Sequence, residues 1–156
     1  MRKTVFVKVS GDLVSRRDVV DWIKKLAKEF FVVVCIGGGA HINEEFEKRG
    51  HKIKFGPLGR EVENFQERQL ARNILEKNQA RVQDLLAKNK VPAMVIIPVI
   101  DIGSVLCHLN GDVFTQAAYL GFDELYVLTY KNRVKAKKET FKKLPKIKII
   151  CFPEKI

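Results

Sequence analysis

Cysteine and histidine are scarce, with three of each in 156 residues. Cys35, Cys107 and Cys151 lie far apart and form no CxxC pair, and His41, His51 and His108 are scattered. Neither a disulfide framework nor a structural zinc site is expected, and no metal ligands are assigned. Cys35 sits in the apolar run Val32–Ile36, the setting of a buried free thiol. Long apolar runs are missing too. The longest, Ala93 to Ile100, is about eight residues and contains Pro98, whereas a membrane span needs about 20. At the start, Lys8 interrupts the apolar stretch that a secretory signal would need. The expectation is a soluble, cytoplasmic protein with no membrane partner.

Acidic residues are in deficit: 18 against 29 Lys and Arg, a formal net charge of +11. The excess is uneven. Lys131 to Ile156 carries ten basic and two acidic residues, net +8, while residues 1–130 carry 19 and 16, net +3. Such a balance suits nucleic acid, anionic membranes or phosphorylated metabolites. The lysines from Lys135 to Lys148 have Phe141 as their only interior aromatic, without the interleaved stacking residues of a single-strand binder. Nucleic acid is therefore the least favoured partner. The length and a hydrophobic content of 46% fit a single packed domain over residues 1–156.

The pattern predicts alternating strands and helices. Thr4–Val9 reads as a strand that ends at Ser10-Gly11-Asp12. From Ser15 to Phe30, Val19, Val20, Ile23, Leu26, Ala27 and Phe30 recur at helical steps, with Ser15 as N-cap and Asp18 three residues on. Phe31–Ile36 is a β-branched run expected to be buried on both faces. Gly37-Gly38-Gly39 then leads into a helix from Ala40 to Arg49, closed by Gly50. Lys54 to Arg60 reads as a loop. Glu63 to Asn89 reads as helical, with a candidate junction of two helices near Asn78. Ala93–Ile100 is another expected buried strand, Asn110–Leu120 a helix, and Leu125–Thr129 and Ile147–Phe152 further strands. Strands alternating with helices imply a mostly parallel sheet covered on both sides, a three-layer αβα sandwich.

Ligands in such sheets bind beyond the carboxyl ends of the strands, here Lys8–Asp12, Gly37–His41, Asp101–Asp112 and Thr129–Arg133. The three glycines open the helix start to a bound anion, or equally pack that helix close to the sheet. Neither GxxxxGK[ST] nor GxGxxG is present. Lys8 shares a strand face with Phe6 and either snorkels to water or points into a site. Asp112, just after Asn110-Gly111, suits a helix N-terminus as well as it suits a functional role.

Taken in order, these segments resemble the amino-acid kinase family, which includes acetylglutamate, uridylate and carbamate kinases. Val7-Lys8-Val9-Ser10-Gly11 resembles its Lys-x-Gly-Gly opening strand, with Ser10 replacing the first glycine. Cys35-Ile36-Gly37-Gly38-Gly39-Ala40-His41-Ile42-Asn43 resembles His-Gly-Gly-Gly-Pro-x-Ile-Asn, with Ile36 in place of the histidine. Gly59-Arg60 lies where acetylglutamate kinase carries a substrate-binding arginine. Ile97-Pro98-Val99-Ile100 resembles the strand preceding an Asn-x-Asn-Ala-Asp motif, seen here as His108-Leu109-Asn110-Gly111-Asp112. Ala117–Thr129 resembles the Ala-x-x-Leu-Gly to Leu-Thr-Asp segment, with Tyr130 replacing the aspartate.

The resemblance spans residues 3–130 and implies a shortened carbamate kinase-like fold. It implies ATP with Mg2+ and phosphoryl transfer to a carboxylate, carbamate or phosphate. In that reading Lys8 and Asp112 are the catalytic pair, with Asp112 orienting Lys8. Ser10, Gly11, Gly37, Gly38, Gly39, Thr129, Tyr130 and Arg133 hold nucleotide and phosphate, and Arg60, His108 and Asn110 bind the acceptor. Only 27 residues follow Thr129, and no segment matches the family's second catalytic lysine. The alternative is a nucleotide- or phosphate-binding or assembly module that has lost the kinase activity. A homo-oligomer, a dimer, is expected under both.

Overall fold

Successive residues along the central strands face two apolar layers in turn, Val5, Val7 and Val9 to one side and Phe6 to the other, and that alternation sets the architecture. The computed structural model describes residues 2–11, 13–56, 59–62, 64–102, 105–108 and 110–154. In chain order the elements are β1 (Thr4–Val9), α1 (Arg17–Glu29), β2 (Phe31–Ile36), α2 (Gly39–Lys48), β3 (Lys54–Gly56), β4 (Gly59–Glu61) and α3 (Phe65–Lys88). They continue with β5 (Ala93–Ile96), β6 (Val99–Ile102), β7 (Val105–His108), α4 (Gly111–Ala117), β8 (Glu124–Tyr130), α5 (Val134–Thr140) and β9 (Ile147–Phe152). Five strands form one sheet in the order β5-β2-β1-β8-β9, and every pairing in it is parallel.

One face of this sheet presents Val5, Val7, Val9, Val32 and Val34 to Val19, Val20 and Ile23 of α1 and to Val82 and Leu86 of α3. The other presents Phe6, Cys35, Leu125 and Val127 to Phe114 of α4 and to Phe141 beyond α5. Phe6 meets Phe122 edge-on at 5.2 Å. The α/β class and the three layers expected from the pattern are therefore observed. A satellite cluster of Ile42, Phe46, Ala71 and Leu75 joins α2 to α3.

Several local expectations are corrected. Ser15 does not cap α1: Arg16 is the N-cap residue without a side-chain cap, and its guanidinium bonds the Asp18 carboxylate instead. Lys54 to Arg60 is not simply a loop, because Lys54 and Phe55 pair antiparallel with Glu61 and Arg60; Pro57 and Leu58 lie outside the described residues. The segment around Asn78 is one continuous 24-residue helix, α3, since Asn78 is buried on its inner side rather than marking a junction. Ala93–Ile100 is not one strand. Pro98 lacks the N–H needed to continue the ladder, and the chain turns there into the β6–β7 hairpin. Met94, expected inside, is 54% exposed. The basic segment after β8 contains α5, which charge alone concealed.

The β5 edge of the sheet is closed by side chains of α3. Gln83 accepts from the Val95 N–H at 2.9 Å and donates to the Ala93 carbonyl at 3.1 Å, while Gln79 donates to the Val95 carbonyl at 2.8 Å. These amides stand where a sixth strand would pair. No helix among the described residues is long and apolar enough to cross a membrane.

Candidate functional site

A cleft of about 440 Å³ opens beyond the carboxyl ends of β1 and β2. The chain adds β2 and β5 on one side of β1 and β8 and β9 on the other, so the loops after these strands diverge and leave a crevice. After β1 it is lined by Lys8, Ser10 and Gly11, and after β2 by Gly37, Gly38 and Gly39. Asn110 and Asp112 enter from the start of α4, Arg60 and Phe55 from the β3–β4 hairpin, and Arg133 and Lys137 from the segment after β8.

Lys8 follows Phe6 on the α4 side of the sheet, where period-two geometry places it. It is only 8% exposed, so it does not snorkel to water. Its Nζ lies 3.3 Å from Oδ1 of Asp112, and the Nζ of Lys137 donates to Oδ2 of the same carboxylate. Burial pushes the Lys8 ammonium below its ordinary range, Asp112 opposes that shift, and Lys137 adds to it. Burial also works to raise the Asp112 carboxyl, but the two ammonium groups outweigh it and hold the group below its ordinary value. Two cations on one anion leave one positive charge unmatched. Cys35 is paired with Lys8 across the strands, yet burial pushes its thiol up to about 12, so it is a packed thiol and not a nucleophile.

The remaining residues divide into supports and open groups. Asn110 caps α4, its side chain accepting from the Asp112 N–H at 2.8 Å, which fixes the carboxylate's position. The Ser10 hydroxyl donates to the Leu128 carbonyl at 3.3 Å and ties the end of β1 to β8. Gly38 is the crowded one: a Cβ there would lie 2.9 Å from Leu75 Cδ2, and that buried side chain would have to shift. Gly37 and Gly39 are not: a Cβ on either meets nothing within 4 Å, and the open space belongs to the cleft. The first turn of α2 has neither a side-chain cap nor an acidic residue. Its amides are therefore available to an anion. Arg60 donates from Nη2 to the Gly39 carbonyl at 3.1 Å, its buried Nη1 has no hydrogen-bond partner among the described residues, and burial draws its guanidinium below the ordinary value.

Of the residues predicted for the site, Lys8, Ser10, Gly11, Gly37, Gly38, Gly39, Arg60, Asn110, Asp112 and Arg133 come together at the cleft. Thr129 and Tyr130 do not line it; Thr129 is fully buried in β8. His108 pairs with Val99 in the β6–β7 hairpin, and its side chain, like Leu109, Gly103 and Asp12, lies outside the described residues. Lys137 and Asn43 were missed. Lys137 is hidden among many lysines, though it stands four residues before the buried Phe141, on one helix face with it. Asn43 lines the same cleft, with its buried Oδ1 unpartnered among the described residues.

No family model matches the chain, and no curated protein matches it in sequence. Solved structures do. The crystal structure of smu.665 from Streptococcus mutans UA159 is similar with a TM-score of 0.65 and 15% identity, covering 90% of this chain and 84% of that one. N-acetylglutamate synthase from Neisseria gonorrhoeae, complexed with coenzyme A and L-arginine, is similar with a TM-score of 0.64 and 8% identity over 96% of this chain. The same enzyme complexed with coenzyme A and N-acetyl-glutamate gives a TM-score of 0.56 and 9% identity, again over 96% of this chain. This chain spans 56% and 54% of those two synthase chains. At such identities the likeness shows the fold alone.

The identification as an amino-acid kinase is corrected by these likenesses, which lead to a synthase holding coenzyme A and not to a complex with ATP and Mg2+. Phosphoryl transfer and the ATP roles of these residues fall with that family, and the likenesses lend no support to a kinase that has lost its activity. Asp112, the carboxylate among the described residues of the cleft lining, is engaged by two ammonium groups.

Proposed function

We propose that the cleft binds a small anion through a carboxylate or phosphate group. The observation that carries this reading is the sharing of Asp112 by Lys8 and Lys137, which leaves one positive charge unmatched beside the glycine turn that lines the cleft. In this reading Lys8, Lys137 and the amides of the Gly37–Ala40 turn meet the charged group. Arg60 and Arg133 supply further cationic contacts at the rim, and Asp112 and Asn110 are positioning residues. A lysine kept almost dry is costly to the fold and valuable to a ligand, because a low dielectric strengthens its attraction for charge.

Coenzyme A and N-acetyl-glutamate, both held by the similar synthase, carry phosphate and carboxylate groups and are the natural first probes beside inorganic phosphate. The test is isothermal calorimetry on the whole chain with each of the three at millimolar concentration. The expected result is saturable binding of at least one of them, lost in Lys8→Met. Binding of none overturns the reading, and so does binding that survives Lys8→Met.

A further inference from the structure

The β3–β4 side of the cleft carries a side chain that the fold leaves in water. Phe55 lines the cleft yet is 63% exposed. Its cross-strand partner Arg60 places its guanidinium 4.9 Å from the Phe55 ring centre and 5.7 Å from that of the buried Phe46. Arg60 is also tied to the Gly39 carbonyl. The guanidinium thus has an aromatic neighbour in Phe46 whether or not Phe55 is present, so holding Arg60 does not by itself account for a second ring. A phenyl group left largely in solvent forfeits the apolar burial that drives most such side chains inward. Here the exposed surface lies beside the groups that attract an anion.

Building on the anion-binding reading above, we propose that Phe55 is the contact for an apolar or aromatic body joined to the bound anionic group. The cleft then selects organic anions over inorganic ones. The cations hold the charged end, and the open part of the Phe55 ring covers the adjoining carbon skeleton. A planar body would stack on it, and an acyl chain would lie across it.

Phenyl phosphate and inorganic phosphate, titrated calorimetrically into the full chain, test this. Wild type should bind phenyl phosphate about threefold to tenfold more tightly than inorganic phosphate, the size of one aromatic contact. Phe55→Ala should bring that ratio close to one, and Phe55→Leu should keep part of it. A wild-type ratio of one overturns the inference. A ratio that survives Phe55→Ala while both affinities fall together also overturns it, since Phe55 then acts only as a buttress for Arg60. If neither probe binds wild type while coenzyme A or N-acetyl-glutamate does, this inference fails and the anion site stands; if none of the four binds, both fail.

Discussion

Lys8 on the first strand and Lys137 on the last helix converge on opposite oxygens of the Asp112 carboxylate. The arrangement joins β1, α4 and α5 through one side chain, and it holds two like charges together only because a third, opposite charge lies between them. Remove any member and the balance changes in a direction that can be stated.

Lys8→Met should weaken phosphate binding at least tenfold, because truncating a desolvated charge contact costs about 2–5 kcal/mol. The same change should leave the urea unfolding midpoint unchanged or raised. Burial already disfavours the Lys8 ammonium, and Asp112 keeps Lys137 as its partner. Calorimetry and urea unfolding on the same preparation separate these two effects. A lower midpoint with intact binding would make Lys8 a purely structural residue.

Asp112→Ala should do the opposite to stability. It leaves two ammonium groups facing each other with no carboxylate between them, a loss on the order of 3 kcal/mol. Urea unfolding measures it, and a change within experimental scatter would show that the lysines separate freely.

The pH dependence follows from the depressed Asp112 carboxyl. A folded-state pKa below the unfolded value means that the unfolded chain takes up the proton first. Its contribution is therefore complete above about pH 4 and is lost as pH falls further toward the folded value. The unfolding free energy of wild type should drop as pH falls below about 4, and Asp112→Asn should reduce that slope. Asp18, Asp123 and Glu124 are also held low by their hydrogen bonds, so the difference between the two proteins isolates Asp112.

The glycines should separate by function. Gly38→Ala drives a methyl group to 2.9 Å from Leu75 and should cost about 1–3 kcal/mol through overpacking. Gly39→Ala meets no protein atom and should cost the fold little, while its methyl group occupies cleft space and weakens phosphate binding. Thermal unfolding paired with calorimetry would check the contrast; equal stability loss in both would contradict it.

Gln83→Ala should unfasten the edge of β5, leaving the Val95 N–H and the Ala93 carbonyl without their side-chain partners. A loss of about 1–3 kcal/mol is expected, together with concentration-dependent association visible by light scattering. Unchanged scattering would show that α3 shields the edge by bulk alone.

The strands of the core were legible because β-branched runs such as Phe31–Ile36 and Thr4–Val9 carry their own local signal. The candidate site was legible in part, because Lys8, the three glycines and Asp112 each sit at the end of an element, where open α/β sheets bind ligands. The β6–β7 hairpin was not, since Pro98 interrupts an apolar run that otherwise reads as a single strand. Lys137 was not either, since a lysine that turns inward is indistinguishable by composition from its exposed neighbours Lys135 and Lys138.

By itself, the sequence determined the α/β class, the parallel core and the face on which Lys8 stands. Period two, period 3.6 and β-branched burial are local properties of the chain. Only the tertiary structure decided that Lys137 shares Asp112 with Lys8, that Arg60 stands near the rings of both Phe46 and Phe55, and that Gly38 is the crowded member of its triplet. Those facts depend on distances between segments far apart in the chain, and packing fixes them where no local pattern can.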